Sequence, residues 1–232
     1  MNAQIEGHTV RRYDGELSHL HYLVLEMGGL VLGQIHDTLT AFKRRDVVLA
    51  KKVVTRDSEV DHLEIYADQE IMKLIARRCP MGTDLRLVFA VNKSVSDLER
   101  IGDEAVRIAG LVIQIFGNDS SDPNQQLLRD VCRIGGLAQT SLQHAIEVFD
   151  VWNEAKALQV IESHREMDDE FQSELRRLMT YILEDSRNIG FAINVVLIIK
   201  ALERITHHTQ SLAEYAIYQM KGLDLQESEP HD

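Results

Sequence analysis

The sequence predicts an all-α protein built as two pseudo-symmetric antiparallel three-helix bundles, and three observations lead there. Only three prolines occur in 232 residues, Pro80, Pro123 and Pro230, and each punctuates a polar connection or tail rather than a periodic stretch. The chain also repeats itself: MGGLVLGQIHDTLTAF from Met27 lies over IGGLAQTSLQHAIEVF from Ile134 at an offset of 107 residues, which also pairs Ala50 with Ala157 and Asp61 with Asp168. Further on, DLERI from Asp97 lies over ALERI from Ala201 at an offset of 104. A connection three residues shorter, with the helices still in register, is what a duplicated helical unit leaves behind.

Each copy reads as three helices. The first copy places them at 15–43, 46–77 and 83–116, and the second repeats them from about 124, 153 and 188. The first and fourth are the overlaid Gly-Gly-Leu segments, and Pro80 separates the second from the third. In the third, Val88, Val91, Val95, Leu98, Gly102, Ala105, Ala109, Val112 and Phe116 recur at spacings of three and four, a bundle seam over about four heptads. The sixth repeats that track as Ala192, Val195, Ile199, Leu202, Thr206, Thr209, Ala213, Ala216 and Met220. The division expected is a first repeat over 1–117, a second over 124–222 joined to it through Asp122-Pro123, and an acidic disordered tail over 223–232.

Composition narrows the function. With 37 acids against 25 Lys and Arg the net charge is -12, so a nucleic-acid phosphate backbone would repel the chain. Two cysteines, Cys79 and Cys132, make neither a disulfide framework nor a thiolate zinc site, and a reducing, cytoplasmic setting fits them. The segment MNAQIEGHTV has no secretory pattern, and the longest apolar stretch, 191–199, is broken by Asn194, so neither secretion nor membrane insertion is expected. No phosphate-cradling glycine loop, dinucleotide fingerprint or nucleophile triad stands out, so the chain is read as a non-enzyme with protein partners. A homodimer is expected as well.

The chemistry lies in acids on the second helix of each copy. Its core line in copy one reads Ala50, Val54, Asp57, Asp61, Glu64, Asp68, Ile71, Ile75, apolar at the ends and carboxylate between. Stacked acids repel, so that stretch either faces water or is neutralised by a cation. Asp57 and Asp61 are four apart on one face, and the third helix offers a matching pair, Glu99 and Asp103, beside its seam. Four such carboxylates favour hard cations, iron or manganese. In copy two the line reads Ala157, Ile161, His164, Asp168, Phe171, Leu175, Leu178, Ile182, and the partner pair becomes Glu203 and His207. Imidazole there admits zinc, iron or nickel. Two other readings compete. A metal-free helical adaptor would carry such acids merely for solubility. A carboxylate-bridged di-iron oxidase needs Glu-x-x-His strings, and Glu16/His19 and Glu59/His62 supply two, although neither recurs in the second copy.

DLERIGDEAVRIA, Asp97 to Ala109, resembles the PhoU family of phosphate-signalling proteins, whose hallmark is the acidic pair within LERIGD. The likeness spans nearly the whole chain, through MGGLV at Met27, RRCPMGTDLR at Arg77, RRLMTYILEDSR at Arg176 and AEYAIYQMKG at Ala213. It implies two three-helix bundles with iron or other metal clusters on the paired motifs, the first on Asp57, Asp61, Glu99 and Asp103. The second would fall on His164, Asp168, Glu203 and His207, where LERITHH replaces the usual LERIGDH and leaves metal and cluster size open. It further implies a cytoplasmic negative regulator of the phosphate-starvation response. Such a regulator links the ATPase subunit of the phosphate ABC transporter to a sensor histidine kinase, and meets the membrane only through those partners.

Overall fold

A computed structural model describes residues 11–117, 125–184 and 189–222. The expected linker at Asp122-Pro123 and the tail over 223–232 lie outside the described residues. Six helices account for nearly all of them: α1 (Arg11–Arg44), α2 (Val47–Arg78), α3 (Thr83–Phe116), α4 (Gln125–Val151), α5 (Glu154–Glu184) and α6 (Ile189–Lys221). No strand occurs among the described residues, and none of these helices is long and apolar enough to cross a membrane.

The turns show why the helices break where they do. Asp46 caps α2, its Oδ1 accepting the Leu49 N–H at 2.9 Å, and Asn153 caps α5 by accepting the Lys156 N–H at 3.1 Å. Each cap follows a residue in the left-handed region, Arg45 (φ 58°) and Trp152 (φ 49°), so the duplicated positions adopt one turn geometry with different side chains. At the other end of α2, Cys79 (φ 48°) is a left-handed cap whose N–H returns to Ile75 O at 3.1 Å, and Pro80 forbids continuation.

Helices α1, α2 and α3 pack mutually, as do α4, α5 and α6, and the two triplets meet through α3 against α6 and α1 against α4. A single hydrophobic core runs through both. The α3–α6 pair is antiparallel: Asp97 meets Tyr215 while Glu104, further along α3, meets Arg204, earlier on α6. The small-residue track read from the sequence is buried from Val88 to Val112 and from Ala192 to Ala216, and on α3 it turns toward α1 and α2, where Gly102 faces Gln34 and Val60 and the Ala105 carbonyl accepts from Thr38. The α1–α4 contact shows the internal symmetry directly. A Cβ on Gly28 would stand 2.9 Å from Ile146, and one on Gly135 would stand 2.4 Å from Leu39. Those two contacts exchange under the repeat offset, so each copy presents the same glycine to the same apolar position of the other.

One seam differs from the reading above. On α2 the buried positions are Ala50, Val53, Val60, Ala67, Ile71 and Leu74, whereas Val54 and Ile75 are 40% and 41% exposed. The acids therefore flank the seam instead of filling it. On α5 the equivalent line runs through Val160, His164, Met167, Phe171 and Glu174. Glu174 is tolerated inside because Arg133 and Arg177 donate to it at 2.6 and 2.9 Å.

Candidate metal centres

The first cluster forms where the acidic flank of α2 meets α3. Asp57 is half-buried there, and Gln34 of α1 donates its Nε2 hydrogen to Asp57 Oδ1 at 3.1 Å. Gly102 of α3 permits this approach, because a Cβ at that position would lie 3.2 Å from Gln34 Oε1 and 3.7 Å from Asp57 Oδ1. That Gln34 oxygen is buried and accepts no hydrogen bond. Asp61 and Glu64 from α2 and Glu99 and Asp103 from α3 lie close enough to feel one another's charge; Asp61 and Asp103 are the most exposed.

The electrostatics show charge without compensation. Asp57, Glu64 and Asp103 are all raised from their ordinary values, by burial first and then by neighbouring acids, Asp61 among them in each case, with the Gln34 hydrogen bond opposing at Asp57. Glu99 is pushed furthest, up to about 7, by burial and then by Asp103, Glu64 and Asp61, with Arg100 opposing. Glu64 is a fifth member that the paired-motif logic left out, and it was visible in the sequence as the next acid on the same flank.

The second cluster repeats the arrangement between α5 and α6. His164, Asp168, Glu203 and His207 line one cavity together with Gln172 and Arg204. His164 is buried, its Nε2 lies 3.6 Å from Asp168 Oδ2, and its Nδ1 is buried without a partner. The Asp168 side chain is 51% exposed, so it sits at the cavity mouth and not in the apolar stripe. The His207 ring stands 5.9 Å from that of His164. Burial first, then the His207 charge, hold the His164 imidazole below its usual value, with Asp168 opposing. The neutral ring is the form that ligates a metal. Thr206 occupies the place of Gly102 and turns its hydroxyl onto the Glu203 carbonyl at 2.8 Å, so this site lacks the glycine cradle.

The residues present fit a cation. The first set is all oxygen and repels itself, and Gln34, bonded to its Asp57, leaves an orphaned amide oxygen; the second mixes imidazole with carboxylate and includes the orphaned ring nitrogen of His164. Among the described residues no three His, Cys, Asp or Glu side chains already close on one point. The Glu-x-x-His strings go elsewhere. Glu16 takes a two-pronged pair from Arg78 at 2.7 and 2.9 Å, and His19 meets Tyr66 at 3.2 Å. Glu59 and His62 are exposed, and His62 turns to the Ser58 carbonyl.

Between the clusters runs a polar seam that the sequence did not reveal. Arg204 clamps Glu104 at 2.6 and 2.8 Å, while Asp97, 4% exposed, lies 2.9 Å from His208 Nδ1 and accepts from Tyr215 at 2.8 Å. Burial alone would raise Asp97, but these bonds more than offset it and hold the carboxyl below its usual range. Ala201 stands at its duplicate position, so the repeat gave no signal of it.

These features define a class: a tandem three-helix-repeat protein carrying one cluster of acidic or imidazole side chains in each repeat. The PhoU domain matches this chain twice, at residues 24–112 and 131–216. The chain belongs to the PhoU family. The Pseudomonas aeruginosa phosphate-specific transport system accessory protein PhoU homolog is 35% identical over 94% of this chain and 89% of its own length. The Escherichia coli phosphate-specific transport system accessory protein PhoU is 32% identical over 96% and 91%. The crystal structure of PhoU from Pseudomonas aeruginosa superposes with a TM-score of 0.85 at 36% identity, covering 91% of this chain and all of that one.

Proposed function

We infer that this chain is a metal-binding negative regulator of phosphate uptake and of the phosphate-starvation response, working in the cytoplasm as a homodimer. Its partners are the ATPase subunit of the phosphate ABC transporter and a sensor histidine kinase. The observation that carries the metal part is the first cluster: five carboxylates on two helices, four of them raised by burial and by neighbouring acids, with Gly102 leaving room for Asp57. Iron or manganese suits that oxygen set, while zinc, iron or nickel suits the second, with His164 and His207 as nitrogen donors. Membership of a family whose relatives are named as phosphate-transport accessory proteins supports the signalling part. The role is regulatory rather than enzymatic, and an iron-loaded sample is expected to consume no dioxygen beyond a metal-only control.

Co-purification tests the partners. From phosphate-replete cells, the tagged chain is expected to bring down both the transporter ATPase and the kinase. Recovery of neither, from cells that demonstrably contain both, would refute the coupling role.

A further inference from the structure

The chain is acidic, yet the segment around its α1–α2 turn is not. Between residues 37 and 56 stand six cations, Lys43, Arg44, Arg45, Lys51, Lys52 and Arg56, against two acids, Asp37 and Asp46. The net +4 there leaves -16 on the rest of a chain whose total is -12. All six cations are exposed on the tip of the α1–α2 hairpin. Arg56 pairs with Asp37, and Arg45 lies 5.9 Å over the Phe116 ring. Among the described residues Lys43, Arg44, Lys51 and Lys52 have no ion pair, and Asp46 is engaged as the α2 cap. Amid them Val48 is 66% exposed, on an open groove shared with Lys51, Lys52 and Thr55.

The duplication supplies the control. The second copy forms the same turn, with a left-handed residue and a side-chain cap at the matching positions, yet at the six positions it carries Asp150, Val151, Trp152, Leu158, Gln159 and Ser163. The fold therefore does not need these cations. We propose that the α1–α2 tip is a docking surface for an anionic phospholipid bilayer, with the cations spread over its headgroups and Val48 entering the interface.

Geometry favours a lipid plane over a bound peptide or a single phosphate. Lys51 and Lys52 are adjacent on a helix and diverge by about 100°, and so do Lys43 and Arg44 at the end of α1, so each pair spreads its charge instead of converging on one ligand. The acidic remainder of the molecule is repelled by the same surface, so the two effects together turn it tip-first. None of the six residues belongs to either candidate metal cluster, so this inference stands apart from the metal reading.

Vesicle co-sedimentation of the full chain tests it. Mixed phosphatidylglycerol–phosphatidylcholine vesicles are expected to retain the protein, pure phosphatidylcholine vesicles to release it, and added salt to weaken retention. At about 1 kcal/mol per surface-proximal cation, K51Q/K52Q should lower the partition coefficient by about thirty-fold with an unchanged melting temperature. Should that variant fold poorly, K43Q/R44Q at the end of α1 provides the same comparison, and V48S should weaken binding further in either background. Failure to bind anionic vesicles, or binding indifferent to these substitutions, overturns the proposal. So does retention by polyglutamate but not by vesicles, which would assign the tip to an acidic protein segment.

Discussion

At Glu99 the carboxyl is pushed up to about 7 by burial first and then by Asp103, Glu64 and Asp61. An acid whose folded value lies above its ordinary 4.5 is disfavoured when charged, so metal-free stability falls through this group as pH rises from about 4.5 to about 7. Glu99→Gln should therefore raise the melting temperature of the metal-free protein by a few degrees above pH 7, give little gain near pH 4.5, and weaken metal binding at the first cluster. A lower melting temperature with unchanged metal affinity would make Glu99 an ordinary surface acid. His21 predicts the opposite slope. It is 9% exposed, stacks 5.3 Å from Trp152 and has a buried Nδ1 without a partner. Burial lowers its pKa, with Asp150 opposing, so its contribution is intact above 6.5 and is lost as pH falls below that toward the folded value. Denaturant midpoints of wild type and His21→Phe, compared across about pH 5 to 7, should converge at neutral pH and favour the variant in acid.

Where two helices cross, a shared dipeptide plays two parts. Gly28 and Gly135 face Ile146 and Leu39 across the α1–α4 contact, while Gly29 and Gly136 meet nothing within 4 Å. Gly135→Val should cost about 1–3 kcal/mol by overpacking, whereas Gly136→Ala should gain up to about 1 kcal/mol from helix propensity. Chemical denaturation checks both, and equal effects would contradict the close crossing. Much of this level was legible in the residues. Prolines and the repeat fixed the six helices, and the residues of α3 and α6 at regular threes and fours marked a buried face of each helix. The α2 seam was misread because Val53 and Val54 are adjacent, and periodicity alone does not choose between neighbouring valines when acids interrupt the stripe. Asp97, His208 and Tyr215 were invisible for another reason: their partnership spans more than a hundred residues and is made only when α3 lies antiparallel on α6.

Taken together, the two triplets share one core, and each cluster is held by long helices anchored in it. Mobile loops do not supply the candidate ligands. The Arg204–Glu104 clamp places a fixed ion pair between the clusters, since Glu104 follows Asp103 while Arg204 lines the second cavity. On the proposed reading, cations bound at the two clusters would change the charge of the helical surface around them. The candidate residues could be picked from sequence because duplication placed acids and histidines at matched positions; their depth could not, because burial is set by packing between helices. Anomalous X-ray scattering, on protein purified without a chelating step and supplied with iron, manganese and zinc, tests the central claim most directly. We predict a scatterer among Asp57, Asp61, Glu99 and Asp103 and another among His164, Asp168, Glu203 and His207, with Asp61→Ala or Glu99→Ala emptying only the first. Eight side chains reaching into solvent with no scatterer beside them would contradict it.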